Sequence, residues 1–326
     1  MLSKVLRGII LTPLIYLLIA GGLILSQWPQ TVTNQQGGLD FTNILAADGA
    51  PVRAPIQVQM RDGSQLPVRQ YGAPDQQNML VLIHGSGWHG MQFDTLAIAL
   101  SDAAFVVVPD LRGHGIAPQR RGDIDHIGQY EEDIADLIDA LRQDGQTIVV
   151  AGHSSGGGLV VRMAGGAYGD RINQAVLIAP YLHYNAPNMR PNAGGWTRPL
   201  TRRLIGLSML NMVAITALNH LDVIQLAMPQ EVLNGPLGAT ATTAYTYRLN
   251  TSYAPRDDFL ADIAMLPPFL LIVGRDDEAF LAESYTPLLS SVSEVGSYHI
   301  VENVGHLDIV NAPETATLIR EILAAP

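Results

Sequence analysis

The sequence predicts an α/β chain: a mostly parallel, doubly wound sheet with an inserted helical cap, preceded by an N-terminal transmembrane helix. Three observations predict it. Five short apolar runs, continuous rather than alternating, are separated by stretches of helical spacing, the pattern of strands buried on both faces of a parallel sheet. Residues 183–262 then interrupt that rhythm for far longer than a plain crossover needs. Residues 8–25, finally, are an uncharged apolar run close to the start of the chain.

Residues 8–25 (GIILTPLIYLLIAGGLIL) follow Lys4 and Arg7 and precede Trp28. As a helix the run would be about 27 Å long, enough to cross a hydrocarbon core. The two bases favour an inside N-terminus. The run is long for a cleaved leader, and Leu25-Ser26-Gln27 offers no small-x-small cleavage site. Residues 1–28 are therefore expected to be an uncleaved anchor in the cytoplasmic (inner) membrane. It would pass once, leaving the rest of the chain outside the cytoplasm. Residues 29–53 are polar and turn-rich and read as a linker.

The core is expected over 54–182 and 263–326. Residues 54–60 and 65–71 alternate around Asp62-Gly63, which predicts an antiparallel hairpin. Runs 79–83 (MLVLI), 105–108 (FVVV), 147–151 (TIVVA), 175–179 (AVLIA) and 269–273 (FLLIV) are the buried strands, and 298–301 (YHIV) is the last. Residues 127–141 carry apolar positions at helical spacing with an acidic first turn. Within the cap, 204–228 is apolar and reads as helix. Asn211, Asn219, His220, Asp222 and the flanking Arg202 and Arg203 argue against a second membrane span.

Composition narrows the chemistry. The chain of 326 residues is 48% hydrophobic and 15% charged, so it has a core and is neither disordered nor collagen-like. A net charge of -11 repels phosphate backbones, which excludes nucleic acid as an expected partner. The absence of Cys removes disulfides, thiol catalysis and Cys-zinc sites. Lys4 is the one lysine, no G-x-x-x-x-G-K-[ST] is present, and no H-E-x-x-H or other ligand spacing joins the histidines. No cofactor or metal is implied.

Gly152-His153-Ser154-Ser155-Gly156 has the form G-x-S-x-G between a strand and a helical stretch. A strand that must turn sharply into a helix needs small neighbours, and it presents the serine hydroxyl above the sheet edge. Ser154, not Ser155, has glycine two residues away on both sides. A serine needs a base, itself oriented by a carboxylate. The cluster Asp276-Asp277-Glu278 follows the 269–273 strand, where ligands gather in open parallel sheets. His306 follows both that cluster and the last strand, which makes it the expected general base. His153 reads as support for the turn, and His126, His220 and His299 as surface, cap or core residues. The loop 84–90 (HGSGWHG) is the expected source of a second oxyanion donor, the Ser86 amide, beside that of Ser155.

These pieces together resemble the α/β-hydrolase fold over residues 54–324, and within it the monoacylglycerol lipase, lysophospholipase and serine aminopeptidase group. The matching motifs are LIHGSG (82–87), PDLRGHG (109–115), GHSSGG (152–157), VGRDD (273–277) and NVGH (303–306). The resemblance implies Asp277 as the acid and a structural role for the 109–115 loop. It implies a serine hydrolase of carboxylic esters, with small-molecule or lipid-like substrates such as monoacylglycerol or lysophospholipid; the apolar run at 8–25 is expected to anchor the enzyme in the membrane. Met209, Met212 and Met228 would suit an apolar acyl pocket. Arg190, Arg198, Arg202 and Arg203 could meet lipid phosphates or form a solvated face. An aminopeptidase would need cap acids such as Asp222, Glu231 or Asp257 for a substrate ammonium. A carbon-carbon hydrolase or a perhydrolase would share every catalytic residue, and an inactive binding protein on the same scaffold is the rival of another class.

Overall fold

The computed structural model of the chain describes residues 2–30, 38–43 and 53–324, with side chains from Leu11 onward. Most of the expected 29–53 linker lies outside the described residues. Helix α1 (Leu2–Leu25) comes first. Strands β1 (Ile56–Gln59) and β2 (Gln65–Tyr71) form the expected antiparallel hairpin, with Ile56 opposite Val68 and Gln59 opposite Gln65. Strand and helix then alternate: β3 (Asn78–Ile83), α2 (Asp94–Leu100), β4 (Phe105–Pro109), α3 (Gln129–Leu141), β5 (Thr147–His153), α4 (Ser155–Ala164) and β6 (Gln174–Ile178).

The cap follows, with β7 (Thr197–Pro199), α5 (Thr201–Met212), β8 (Asp222–Leu226), α6 (Gln230–Asn234), β9 (Ala244–Thr246), α7 (Tyr247–Tyr253) and α8 (Phe259–Ala264). The core resumes as β10 (Phe269–Gly274), α9 (Tyr285–Leu289), β11 (Gly296–Val301) and α10 (Pro313–Ala324). The eight core strands lie in the order β1-β2-β4-β3-β5-β6-β10-β11. Strand β2 runs antiparallel to both its neighbours, β1 and β4; from β4 to β11 the pairing is parallel. Every residue of β3, β4 and β10 is buried, as the continuous apolar runs require. The parallel strands end on one edge of the sheet. The turns after β5, β10 and β11 on that edge carry Ser154, Asp277 and His306.

The cap is not wholly helical. Within 204–228 the helix stops at Met212, and Asp222–Leu226 is a strand, the centre of a three-stranded antiparallel sheet β7-β8-β9. Val223 and Leu226 are buried while Asp222, Ile224 and Gln225 are partly exposed, the register shifting at an irregularity between Asp222 and Ile224.

The N-terminal reading needs correction. Among the described residues no helix is long and apolar enough to cross a membrane. The expected transmembrane helix, and the single-pass inner-membrane placement that depended on it, are overturned. Helix α1 instead packs on the cap helix α5. Ala20 and Ile24 are buried in a small cluster with Leu207, Leu210, Val223 and Tyr247. The two backbones approach so closely at Gly206 that a Cβ there would lie 2.6 Å from the Ala20 carbonyl oxygen. Tyr16 donates its hydroxyl to the Met209 carbonyl at 2.7 Å, and the Arg202 amide donates to Gln27 Oε1 at 2.8 Å. The apolar run thus spends one face on a partner helix.

Candidate active site

The turn between β5 and α4 places Ser154 at φ 54 and ψ -120. A non-glycine residue held there costs about 1–3 kcal/mol, and the surroundings must over-determine it. The Ser154 amide donates to the Ile178 carbonyl at 2.9 Å, and its own carbonyl accepts from Gly158 and Tyr181 at 3.1 and 2.9 Å. The two flanking glycines are steric necessities. A Cβ on Gly152 would stand 2.2 Å from the Gly156 carbonyl oxygen, and one on Gly156 would stand 2.2 Å from that of Ile83.

Three sequence-expected residues meet above this turn. Ser154 Oγ lies 3.0 Å from His306 Nε2, and His306 Nδ1 lies 2.8 Å from Asp277 Oδ2. The other Asp277 oxygen accepts the amides of Ala279 and Phe280 at 2.8 and 2.7 Å. Asp277 is fully buried, His306 nearly so, and Ser154, 7% exposed, lines the cavity above it. Burial separates the three adjacent acids that the sequence left together. Asp276 is exposed, Asp277 buried, and Glu278 intermediate.

Both candidate oxyanion donors are near the serine, though they differ in what surrounds them. Ser155 is the first residue of α4, so its amide points out of the helix N-terminus. Ser86 lines the cavity over Ser154, and its hydroxyl accepts from Trp196 Nε1 at 3.1 Å. Among the described residues, neither amide donates to a turn or loop carbonyl.

The sequence reading did not single out several supports. Gln92 Nε2 stands 3.1 Å from His153 Nδ1, and His153 Nε2 stands 2.9 Å from the His306 carbonyl. That network assigns the neutral tautomer that donates from Nε2. Burial, reinforced by the adjacent His306, holds His153 well below the usual imidazole range. Glu278 Oε2 accepts the His306 amide at 2.7 Å, and the Phe280 ring meets the His306 ring edge-on at 5.1 Å. No motif marks Gln92 or Glu278 for these tasks.

The cavity over Ser154 is lined by Leu39, Phe41, Trp88, Trp196, Met228 and Leu307, and measures about 20 Å³. Of the three methionines expected to suit an acyl pocket, only Met228 lines it; Met212 is 82% exposed on α5 and Met209 packs beside α1. Arg190 Nε donates to the carbonyls of Asp277 and Phe280 at 3.2 and 3.3 Å, and the Arg203 guanidinium covers the Trp28 ring at 4.7 Å. Arg198 and Arg202 line a separate cleft. None of Asp222, Glu231 and Asp257 lines the cavity. The 109–115 loop does not reach it either. Asp110 there pairs with buried Arg69 at 2.8 Å, and His84 Nε2 accepts the Leu111 amide at 3.0 Å.

Comparison with known proteins extends this picture. A model of the alpha/beta hydrolase family matches residues 80–318. The uncharacterized protein Rv2715 of Mycobacterium tuberculosis is 32% identical over 85 residues, 26% of this chain and 24% of that one. Phospholipase YtpA of Bacillus subtilis is 30% identical over 105 residues, 32% of this chain and 40% of its own length. The alignments thus span about a quarter to two fifths of these relatives. Among solved structures, a monoacylglycerol lipase of Paleococcus ferrophilus superposes with a TM-score of 0.59 at 20% identity, covering 80% of this chain and 98% of that one.

Proposed function

The chain belongs to the alpha/beta hydrolase family, and from that premise we propose that it is a serine hydrolase of carboxylic esters. The observation that carries the proposal is the continuous relay from Ser154 through His306 to Asp277, at 3.0 and 2.8 Å. Ser154 Oγ attacks the acyl carbon while His306 Nε2 takes the hydroxyl proton. Asp277, fixed by two backbone amides, holds Nδ1–H and so keeps Nε2 free to accept. The amides of Ser86 and Ser155 stabilise the oxyanion. Collapse of the tetrahedral adduct expels the alcohol, which takes the proton from His306 and leaves an acyl-enzyme. A water deprotonated by His306 then releases the acid and restores Ser154.

The apolar wall of Trp88, Trp196 and Met228 supports an ester with an apolar acyl group, extending to lipid-like monoacyl substrates. An aminopeptidase would need a carboxylate facing the site, and none of the cap acids offered for that role lines the cavity. The test is hydrolysis of p-nitrophenyl esters by the full chain beside Ser154→Ala. Turnover by the native protein and its loss in the variant is the expected result. A folded native protein that hydrolyses no ester would sink the proposal.

A further inference from the structure

We propose that residues 38–43 form a strap that sets acyl-chain specificity, with Phe41 occupying the seat that a long acyl chain must take. The inference rests on Ser154 being the nucleophile of an ester hydrolase. It begins from a mismatch of scale. The cavity above Ser154 measures about 20 Å³, room for about one water. Sites for drug-sized ligands span about 300–1,000 Å³. Some element must therefore move, or the site accepts only very small acyl groups.

The elements around the cavity are not held equally. Its floor is the core sheet. Its cap wall is tied to the core by two bonds at Gly87: the Thr242 amide donates to the Gly87 carbonyl at 3.0 Å, and the Gly87 amide donates to the buried Tyr245 hydroxyl at 2.5 Å. Among the described residues the strap's hydrogen bonds to the core lie at exposed positions. The Asp40 amide donates to Glu278 Oε1 at 3.2 Å, and Asn43 Nδ2 donates to Asp308 Oδ2 at 2.9 Å, both at exposed positions. Exposed bonds of this kind exchange readily with water.

What anchors the strap is apolar. Phe41 is 6% exposed, with its ring centroid 6.0 Å from that of Trp88 and 5.8 Å from that of Trp196. Leu39 lines the same cavity. The surface that holds Phe41 is the surface an acyl chain would use, so a long chain competes with Phe41 for it. A short acyl group does not. Glu278 joins the two events, since one of its oxygens takes the strap amide of Asp40 and the other takes the amide of His306.

The test compares the native full chain with Phe41→Ala in kcat/KM for p-nitrophenyl acetate and decanoate. The decanoate-to-acetate ratio is expected to rise at least tenfold in Phe41→Ala; a ratio within twofold of native overturns the proposal. A second variant guards against misfolding and works in the opposite direction. Because the chain has no Cys, Asn43→Cys with Asp308→Cys can be bridged by a short bifunctional thiol reagent, and the ratio should then fall at least tenfold. An unchanged ratio after bridging also overturns the strap. Labelling of Ser154 by alkyl fluorophosphonates with short and ten-carbon chains reads the same access without needing ester turnover. Labelling that shows the tenfold change in a protein that cleaves no ester would refute the ester reading and keep the strap. Normal ester turnover with an unaltered chain-length ratio would do the reverse, and no reaction of either kind in either protein refutes both.

Discussion

Replacing Asp277 with asparagine changes one atom and should reverse the imidazole. Asp277 Oδ1 accepts two backbone amides at 2.8 and 2.7 Å, and those donors cannot turn away. An asparagine would therefore keep its carbonyl oxygen there and present its NH₂ group where Oδ2 now faces His306 Nδ1 at 2.8 Å. Two donors cannot face each other, so Nδ1 must become the acceptor and the ring proton must move to Nε2. The nitrogen 3.0 Å from Ser154 Oγ then carries a hydrogen and cannot take another. Geometry is preserved and the base is lost. The expected cost is about 10⁴-fold in kcat, or about 5.4 kcal/mol of barrier. Initial rates on p-nitrophenyl acetate would measure it, with a thermal melt to establish that Asp277→Asn is folded. A loss of less than tenfold would refute the tautomer argument and the role given to Asp277.

Three further outcomes are expected. Gly156→Ala places a Cβ 2.2 Å from the Ile83 and 2.6 Å from the His84 carbonyl oxygens. Backbone atoms cannot yield cheaply, so it should destabilise the fold by about 3 kcal/mol in urea titration; native stability would refute the steric reading. Glu278→Ala should lower kcat about tenfold with little change in KM, as the His306 amide loses its acceptor. Glu278→Gln, which keeps one, should restore most of it, and equal loss in both would count against a positioning role. Stability should also fall with acid. Burial, opposed in part by the bond to the Gly85 carbonyl, pushes His84 down to about 4, against about 6.5 unfolded. The unfolded chain therefore takes up a proton that the folded one refuses. The neutral ring's contribution is fully present above pH 6.5 and is lost as pH falls toward 4, amounting to about 3 kcal/mol there. His84→Asn should flatten the decline in urea stability between pH 7 and 4, and an unchanged slope would refute the assignment.

What was legible in the sequence follows from where the constraint lies. Ser154 could be read because glycines at 152 and 156 answer a local steric demand, visible as spacing. The strands could be read because burial on both faces leaves continuous apolar runs. Among Asp276, Asp277 and Glu278 the residues alone could not decide, since only the bend after β10 buries one and exposes another. The apolar run at 8–25 misled for a similar reason. Hydropathy records how greasy a helix is but not whether a partner waits for it, and Gly206, which admits the close approach, lies far along the chain. Strand β8 hid inside a greasy stretch that shows no two-residue alternation, since a bulge leaves its buried residues, Val223 and Leu226, three apart. Phe41 was a lone aromatic in a polar connection, and no periodicity points at a single residue.

The packing of α1 on α5 also bears on how the protein can be handled at the bench. Ala20 and Ile24 cover Leu207, Leu210 and Val223, and the backbone and side chain of Gln30 and Gln225 exchange two hydrogen bonds at 3.0 and 2.6 Å. A preparation trimmed to begin after residue 28, as one would trim a leader, would uncover an oily furrow on the cap. Such a furrow favours clumping and detergent uptake. The opening helix is better kept, with purification tags placed at the other end.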